Sequence, residues 1–211
     1  MTFGYGDADM FRGLSPETAF GERIVILGPN GIGETTLLKL LLGEMAPTAG
    51  AVVMGKGVIP GFLRQDVAAV EPDLTPVGLI QRVAGYSKSE ARTYLHYFLF
   101  EGDAAFTPVA LMSFGERKRL DLAAMIVRGV NLLLLDEPMN HMDIEAREKI
   151  EVALDRFPGT IVSVTHARKF ARRFGTRFWV LEREQGLVRL ESIVDPELIG
   201  HLAGASLPGT G

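Results

Sequence analysis

The chain of 211 residues is 47% apolar and 23% charged, which excludes a disordered or fibrous segment and allows one large domain with a substantial core. A net charge of −4 excludes a globally basic nucleic-acid binder, although a local basic face fits within an acidic total. There is no cysteine, no apolar run of ~18 residues and no signal-peptide pattern, so disulfide scaffolds, cysteine nucleophiles and membrane spans are excluded and a soluble cytoplasmic protein is expected.

In chain order, residues 1–20 read as one or two short strands, and Arg23-Ile-Val-Ile-Leu27 reads as a buried strand. A glycine-rich loop, Gly28-Pro-Asn-Gly-Ile-Gly-Glu-Thr-Thr36, leads into a leucine-rich helix. Gly50–Met54 and Val58–Leu63 are strand-like and are expected to pair with the N-terminal strands as an antiparallel layer, about 1–22 with 50–64. From Thr75 to about Leu99 apolar residues recur at helical spacing, and Ser87-Lys-Ser-Glu90 resembles a capping box. A second helix, from Arg117 to about Arg128, opens at Ser113-Phe-Gly-Glu116 and completes a helical subdomain over about 75–128. Asn131–Leu135 is a buried strand ending in Asp136-Glu137. A helix from about Ile144 to Phe157 leads to the strand Thr160–Val164, which ends at His166. Phe178–Leu181 and Leu187–Leu190 form a hairpin around Gln185-Gly186. Residues 1–190 are taken as one domain, and 191–211 as a partly flexible tail rich in glycine and proline.

Alternating strands and helices predict an α/β fold with a mostly parallel central sheet, where ligands bind at the carboxyl ends of strands. Gly28–Thr36, Asp136-Glu137 and His166 all fall at such ends. Strand, glycine loop and helix form a phosphate-binding P-loop, because glycines let successive N–H groups turn inward and the helix N-terminus adds partial positive charge. Gly28, Gly33 and Thr35 fit Gly-x-x-x-x-Gly-Lys-[Ser/Thr], but Glu34 stands where the lysine belongs. Asn30, Gly31 and Thr36 complete the loop.

Asp136 and Glu137 suit nucleotide hydrolysis, the first acid holding a Mg²⁺ shell and the second orienting or deprotonating water; an acidic helix start is the plainer alternative. Thr35 offers a hydroxyl to Mg²⁺ and equally suits a helix N-terminus. Gln65 is placed to reach the metal or water, or is a surface glutamine. His166 is placed for the γ-phosphate, and His141 for a loop position near Asp143. Ser113, Gly115 and Glu116 form either an anion site or an ordinary serine cap. Tyr5 either stacks on a base or belongs to the core.

Together these residues resemble an ABC ATPase cassette from about Phe3 to Leu190. The resemblance implies that Tyr5 is the adenine-stacking aromatic, Gly28–Thr36 Walker A, Gln65 the Q-loop and Ser113–Glu116 the signature loop that meets a nucleotide held by a second cassette. It likewise implies that Leu132–Glu137 is Walker B, Asn140–Asp143 the D-loop and His166 the switch histidine. Glu137-Pro-Met-Asn-His-Met-Asp143, Ser113–Arg119, Tyr94–Asp103 and Val164–Phe170 resemble ABC-F proteins, and the second of their two cassettes. That resemblance implies ATP and Mg²⁺ as cofactors, ATP-driven head-to-tail pairing with a second cassette, and work on the ribosome or in antibiotic resistance. Arg117, Lys118, Arg119, Arg168, Lys169, Arg172 and Arg173 either contact rRNA phosphates or are solvated helix faces.

Three positions depart from the family pattern: Phe114 replaces a glycine, Ala167 an aspartate and Glu34 the Walker A lysine. A lysine ~4 Å from a phosphate contributes roughly 4 kcal/mol at an effective dielectric of about 20. With glutamate there, repulsion is expected to weaken micromolar nucleotide binding to about millimolar or worse. Two alternatives follow: a non-catalytic pseudo-cassette that binds another ABC protein or the ribosome, and the motor subunit of a membrane transporter.

Overall fold

The computed structural model describes residues 1–5, 8–63, 71–140 and 142–194. In chain order the elements are β1 (Phe3–Tyr5), β2 (Ala8–Phe11), β3 (Arg23–Leu27), α1 (Glu34–Leu42), β4 (Pro60–Leu63), α2 (Pro76–Ala84) and α3 (Lys88–His96). They continue with two short 3₁₀ turns, α4 (Phe114–Val127), β5 (Leu132–Asp136), α5 (Ile144–Asp155), β6 (Thr160–Val164), α6 (Arg168–Phe174), β7 (Arg177–Glu184) and β8 (Leu187–Ile193). They fall into two compact units. One comprises Met1–Phe62, Leu132–Glu137 and the chain from Gly159; the other comprises Leu63–Asn131 and Pro138–Pro158.

The first unit is built on an eight-stranded sheet of order β1-β2-β8-β7-β3-β6-β5-β4. Strand β3 runs parallel to both β6 and β7, and β5 parallel to β6, whereas β7–β8 and β1–β2 are antiparallel. Ile24, Ile26, Leu134, Val162 and Trp179 are nearly inaccessible to solvent. Such unbroken apolar runs are what a strand covered on both faces demands. Leu37, Leu38 and Leu40 on α1 join the same core. Val164 pairs with Ile26 on one side and Asp136 on the other, so the carboxyl ends of β3, β6 and β5 lie level. Here β6 separates the glycine-loop strand from the Asp136 strand, which puts the His166 tip between the two.

The expected antiparallel layer is smaller than the strand-like segments suggest. Residues 50–59 form no strand; the chain near them contributes the single bridge Thr2↔Ala49. Strand β4 sits beside β5 at the opposite edge of the sheet, where Leu132 N–H donates to Ile59 C=O at 3.3 Å. Gly55 and Gly57 favour turns here, and β-propensity does not choose a partner.

The second unit is helical. The helical stretch expected over Thr75–Leu99 holds two helices: Gly85 closes α2 in the left-handed conformation, and Ser87 caps α3 through a full capping box with Glu90. Gly115 packs α4 onto α5: a Cβ there would meet Ala146 Cβ at 2.8 Å. Lys118 and Arg119 are buried, so neither belongs to a solvated basic face. Arg119 Nη1 donates to the carbonyls of Phe98 at 3.1 Å and Leu99 at 3.2 Å, and Lys118 Nζ lies 5.1 Å from the Phe114 ring centroid. No helix among the described residues is long and apolar enough to cross a membrane.

Candidate nucleotide site

The loop after β3 folds back on itself through Ile32 N–H donating to Pro29 C=O at 3.1 Å, and buried Ile32 anchors it. A Cβ on Gly28 would meet Ile32 Cγ2 at 2.7 Å, and one on Gly33, at φ 115°, would meet Met10 Cε at 2.3 Å. Both positions therefore need glycine for close approach. Asn30 and Gly31 stand exposed at the crest. Gly33 caps α1 without any side-chain hydrogen bond, whereas Thr75, Ser87, Ser113 and Asp143 each cap their own helices. The first-turn amides of α1 are thus left for another acceptor.

Thr35 Oγ1 donates to Asp136 Oδ2 at 3.0 Å. Thr36 Oγ1 lies 3.3 Å from the Tyr5 hydroxyl, and the Tyr5 ring is 59% exposed, held edge-on to Phe3, which places it outside the core. At the tip of β5, Glu137 is buried with φ 45°, and its N–H donates to Val164 C=O at 3.1 Å. His166 Nε2 lies 3.4 Å from Glu137 Oε1 and 3.7 Å from Glu34 Oε2. Neither contact is a hydrogen bond.

Glu34 is buried, and its Oε1 has no hydrogen-bond partner. Burial, reinforced by the neighbouring charges of Glu137 and then Asp136, pushes its carboxyl up to about 8. At neutral pH the group is mostly protonated, so the simple charge repulsion expected of a glutamate is relieved by uptake of a proton. Gln65 and His141 lie outside the described residues.

Comparison with known proteins adds to this geometry. A family profile described as ABC transporter matches residues 11–140, more than half of the chain. The chain belongs to that family. ATP-binding protein Uup of Escherichia coli (strain K12) is 35% identical over 178 residues, covering 82% of this chain and 28% of that protein. ABC transporter F family member 5 of Arabidopsis thaliana is 36% identical over 187 residues, covering 87% and 27%. Among solved structures, a chain of the complex of archaeal ribosomal stalk protein aP1 and archaeal ribosome recycling factor aABCE1 superposes with a TM-score of 0.72 at 25% identity, over 96% of this chain and 40% of that one. Within the family the likeness is to ABC-F cassettes, and the chain spans about a quarter of the length of the curated relatives it matches.

Ser113–Glu116, expected from the sequence as a signature loop, lies in the helical unit. Ser113 Oγ and Ser113 N–H each donate to Glu116 Oε2 at 2.8 Å, while Glu116 N–H donates back to Ser113 Oγ at 3.2 Å. Phe114 takes the first helical position, and Ala167, beside His166, gives α6 no side-chain cap.

Proteins of this family bind ATP, typically with Mg²⁺, and the residues here fit that pair unequally. One hydroxyl and one carboxylate, Thr35 and Asp136, suit an ion that binds through few protein groups and completes its shell with phosphate and water. No group of three or more His, Cys, Asp or Glu is arranged as a metal cage among the described residues. Glu34 does not fit a phosphate: it brings an orphaned carboxyl oxygen to the place of a cation. The motif spacing reveals position 34 as anomalous, but its approach to His166 has no signal in the sequence.

Proposed function

We propose that the chain is an ABC-F-type ATP-binding cassette that works by ATP-driven head-to-tail pairing with a second cassette, either another copy or a separate chain. The observation that carries this reading is the Thr35–Asp136 hydrogen bond beneath an uncapped glycine loop, with Glu137 and His166 beside it. In this reading the loop from Gly28 to Thr36 and the Tyr5 ring hold the nucleotide. Thr35, Asp136 and Gln65 serve the Mg²⁺ shell, which supplies charge neutralisation for phosphoryl transfer. Glu137 takes a proton from water, His166 faces the terminal phosphate, and Ser113, Gly115 and Glu116 address a nucleotide on the partner cassette. The likeness to the chain from the complex with ribosome recycling factor aABCE1 supports a ribosomal target; a place in the cytoplasm and an antibiotic-resistance-like role belong to the same proposal.

Glu34 weakens triphosphate binding in this reading. The test is calorimetric titration of Mg·ATP into the chain and into its Glu34→Lys variant: tight binding restored by lysine supports the cassette, and a Glu34→Lys protein that binds no ATP refutes it.

The buried carboxyl of Glu34 favours a second reading, a pseudo-cassette that pairs with an intact ABC partner without turnover. It predicts partner association that is indifferent to ATP, and a strict ATP requirement for association would exclude it. A transporter motor has weaker support, and co-purification with a permease would be needed to sustain it.

A further inference from the structure

A lost lysine and a gained carboxyl have different consequences. Losing the lysine alone weakens every phosphate ligand together. The carboxyl does more, because it occupies space. Glu34 opens α1 with its side chain 8% exposed, its Oε2 3.7 Å from His166 Nε2 and its Oε1 unpartnered. The same His166 nitrogen lies 3.4 Å from Glu137 Oε1. Glu34 therefore stands among the side chains that, in the cassette, surround the outermost phosphate. The inner phosphates call on other groups. Those are the first-turn amides of α1, which no side chain caps, and the Thr35 and Asp136 pair. The Glu34 side chain hydrogen-bonds to neither group, although its carboxyl feels the charge of Asp136.

We propose that Glu34 fills the terminal-phosphate position of the loop, so that the site takes a nucleoside diphosphate in preference to a triphosphate. This rests on the nucleotide-site reading above and adds to it the class of ligand. Two phosphates satisfy the loop amides and the cation side of the site. A third must displace a buried carboxyl that stands 3.7 Å from His166 Nε2. The preference is steric first, so it survives replacement of the carboxyl by an amide of the same shape and disappears when the side chain is cut back.

The experiment is a direct titration of Mg·ADP and Mg·ATP, in separate runs, into the chain and into Glu34→Gln, Glu34→Ala and Glu34→Lys, with circular dichroism to confirm that each is folded. The chain is expected to bind ADP at least about tenfold more tightly than ATP. Glu34→Gln keeps most of that gap, Glu34→Ala closes it, and Glu34→Lys reverses it. ATP binding to the chain as tightly as ADP overturns the inference and leaves the nucleotide site standing. The same holds if the chain binds neither nucleotide while Glu34→Lys binds ATP. If no variant binds either nucleotide, the nucleotide-site reading itself falls.

Discussion

The hydroxyl of Thr35 donates to Asp136 Oδ2 over 3.0 Å, tying the first turn of α1 to the tip of β5 even though β6 lies between their strands. The bond is exposed, so its loss costs the fold about 1 kcal/mol or less. In the proposed Mg²⁺ shell its loss is more serious. In a Glu34→Lys background, Thr35→Val is expected to leave the melting temperature within a few degrees while removing at least about tenfold of the affinity that Mg²⁺ adds for ATP. Equal Mg²⁺ dependence in both proteins would show that Thr35 is only structural.

The Glu34 carboxyl, pushed from 4.5 up to about 8, links stability to pH. Below about 4.5 both folded and unfolded chains hold the proton and there is no penalty. As pH rises toward 8 the unfolded carboxyl ionises while the folded one resists, so stability falls and then levels off above about 8. The full difference is on the order of 5 kcal/mol. Denaturant unfolding at pH 5, 7 and 9 should show this decline in the parent and not in Glu34→Gln. Parallel curves for the two proteins would mean that Glu34 reaches water in the folded state.

Arg119 is buried with its Nη1 on the carbonyls of Phe98 and Leu99, and Leu99 is held at φ 60°. Desolvation lowers the guanidinium pKa, with Glu116 and Glu145 opposing that effect. Arg119→Ala leaves two carbonyls without their donor and is expected to cost about 3 kcal/mol. A change in unfolding free energy below about 1 kcal/mol would show that water replaces the guanidinium readily.

Gly33 carries two constraints, φ 115° and the approach of Met10 Cε and Phe11 Cζ. Gly33→Ala is expected to destabilise by about 2 kcal/mol. Adding Met10→Ala should recover the part owed to Met10 and leave the Phe11 contact and the backbone part. Full recovery in thermal melts would mean that the φ value is without cost.

Burial divides the basic residues. Lys118 and Arg119 are inside, whereas Lys169, Arg172 and Arg173 are exposed on α6. If α6 meets rRNA phosphates, Lys169→Glu with Arg172→Glu should reduce ribosome co-sedimentation and flatten its dependence on salt. Unchanged salt dependence would remove α6 from the interface.

The strands β3, β5 and β6 were legible because both their faces are buried, which turns them into unbroken apolar runs. The caps at Ser87 and Ser113 were legible because Ser-x-x-Glu carries its own geometry. Partner choice was not. Residues 58–63 look like a strand from any viewpoint, yet nothing local says that they lie beside Leu132 rather than the N-terminal hairpin. Lys118 was misleading for a related reason: helical phase puts it inward, and a long aliphatic stem lets it go there. The glycine loop announced its chemistry through spacing, but the meeting of Glu34, Glu137 and His166 depends on strand order.

Glu137 sits at φ 45°, a conformation that glycine or asparagine adopts at lower cost than glutamate. The residue best suited to this bend of the backbone is therefore not the one suited to the proton-accepting role proposed for Glu137. A directed-evolution campaign that rewards only survival on heating would replace Glu137 early, gaining about 1 kcal/mol and discarding the chemistry proposed for it. Thermal fitness and turnover pull this one position in opposite directions, and a stabilised library should be screened for both at once.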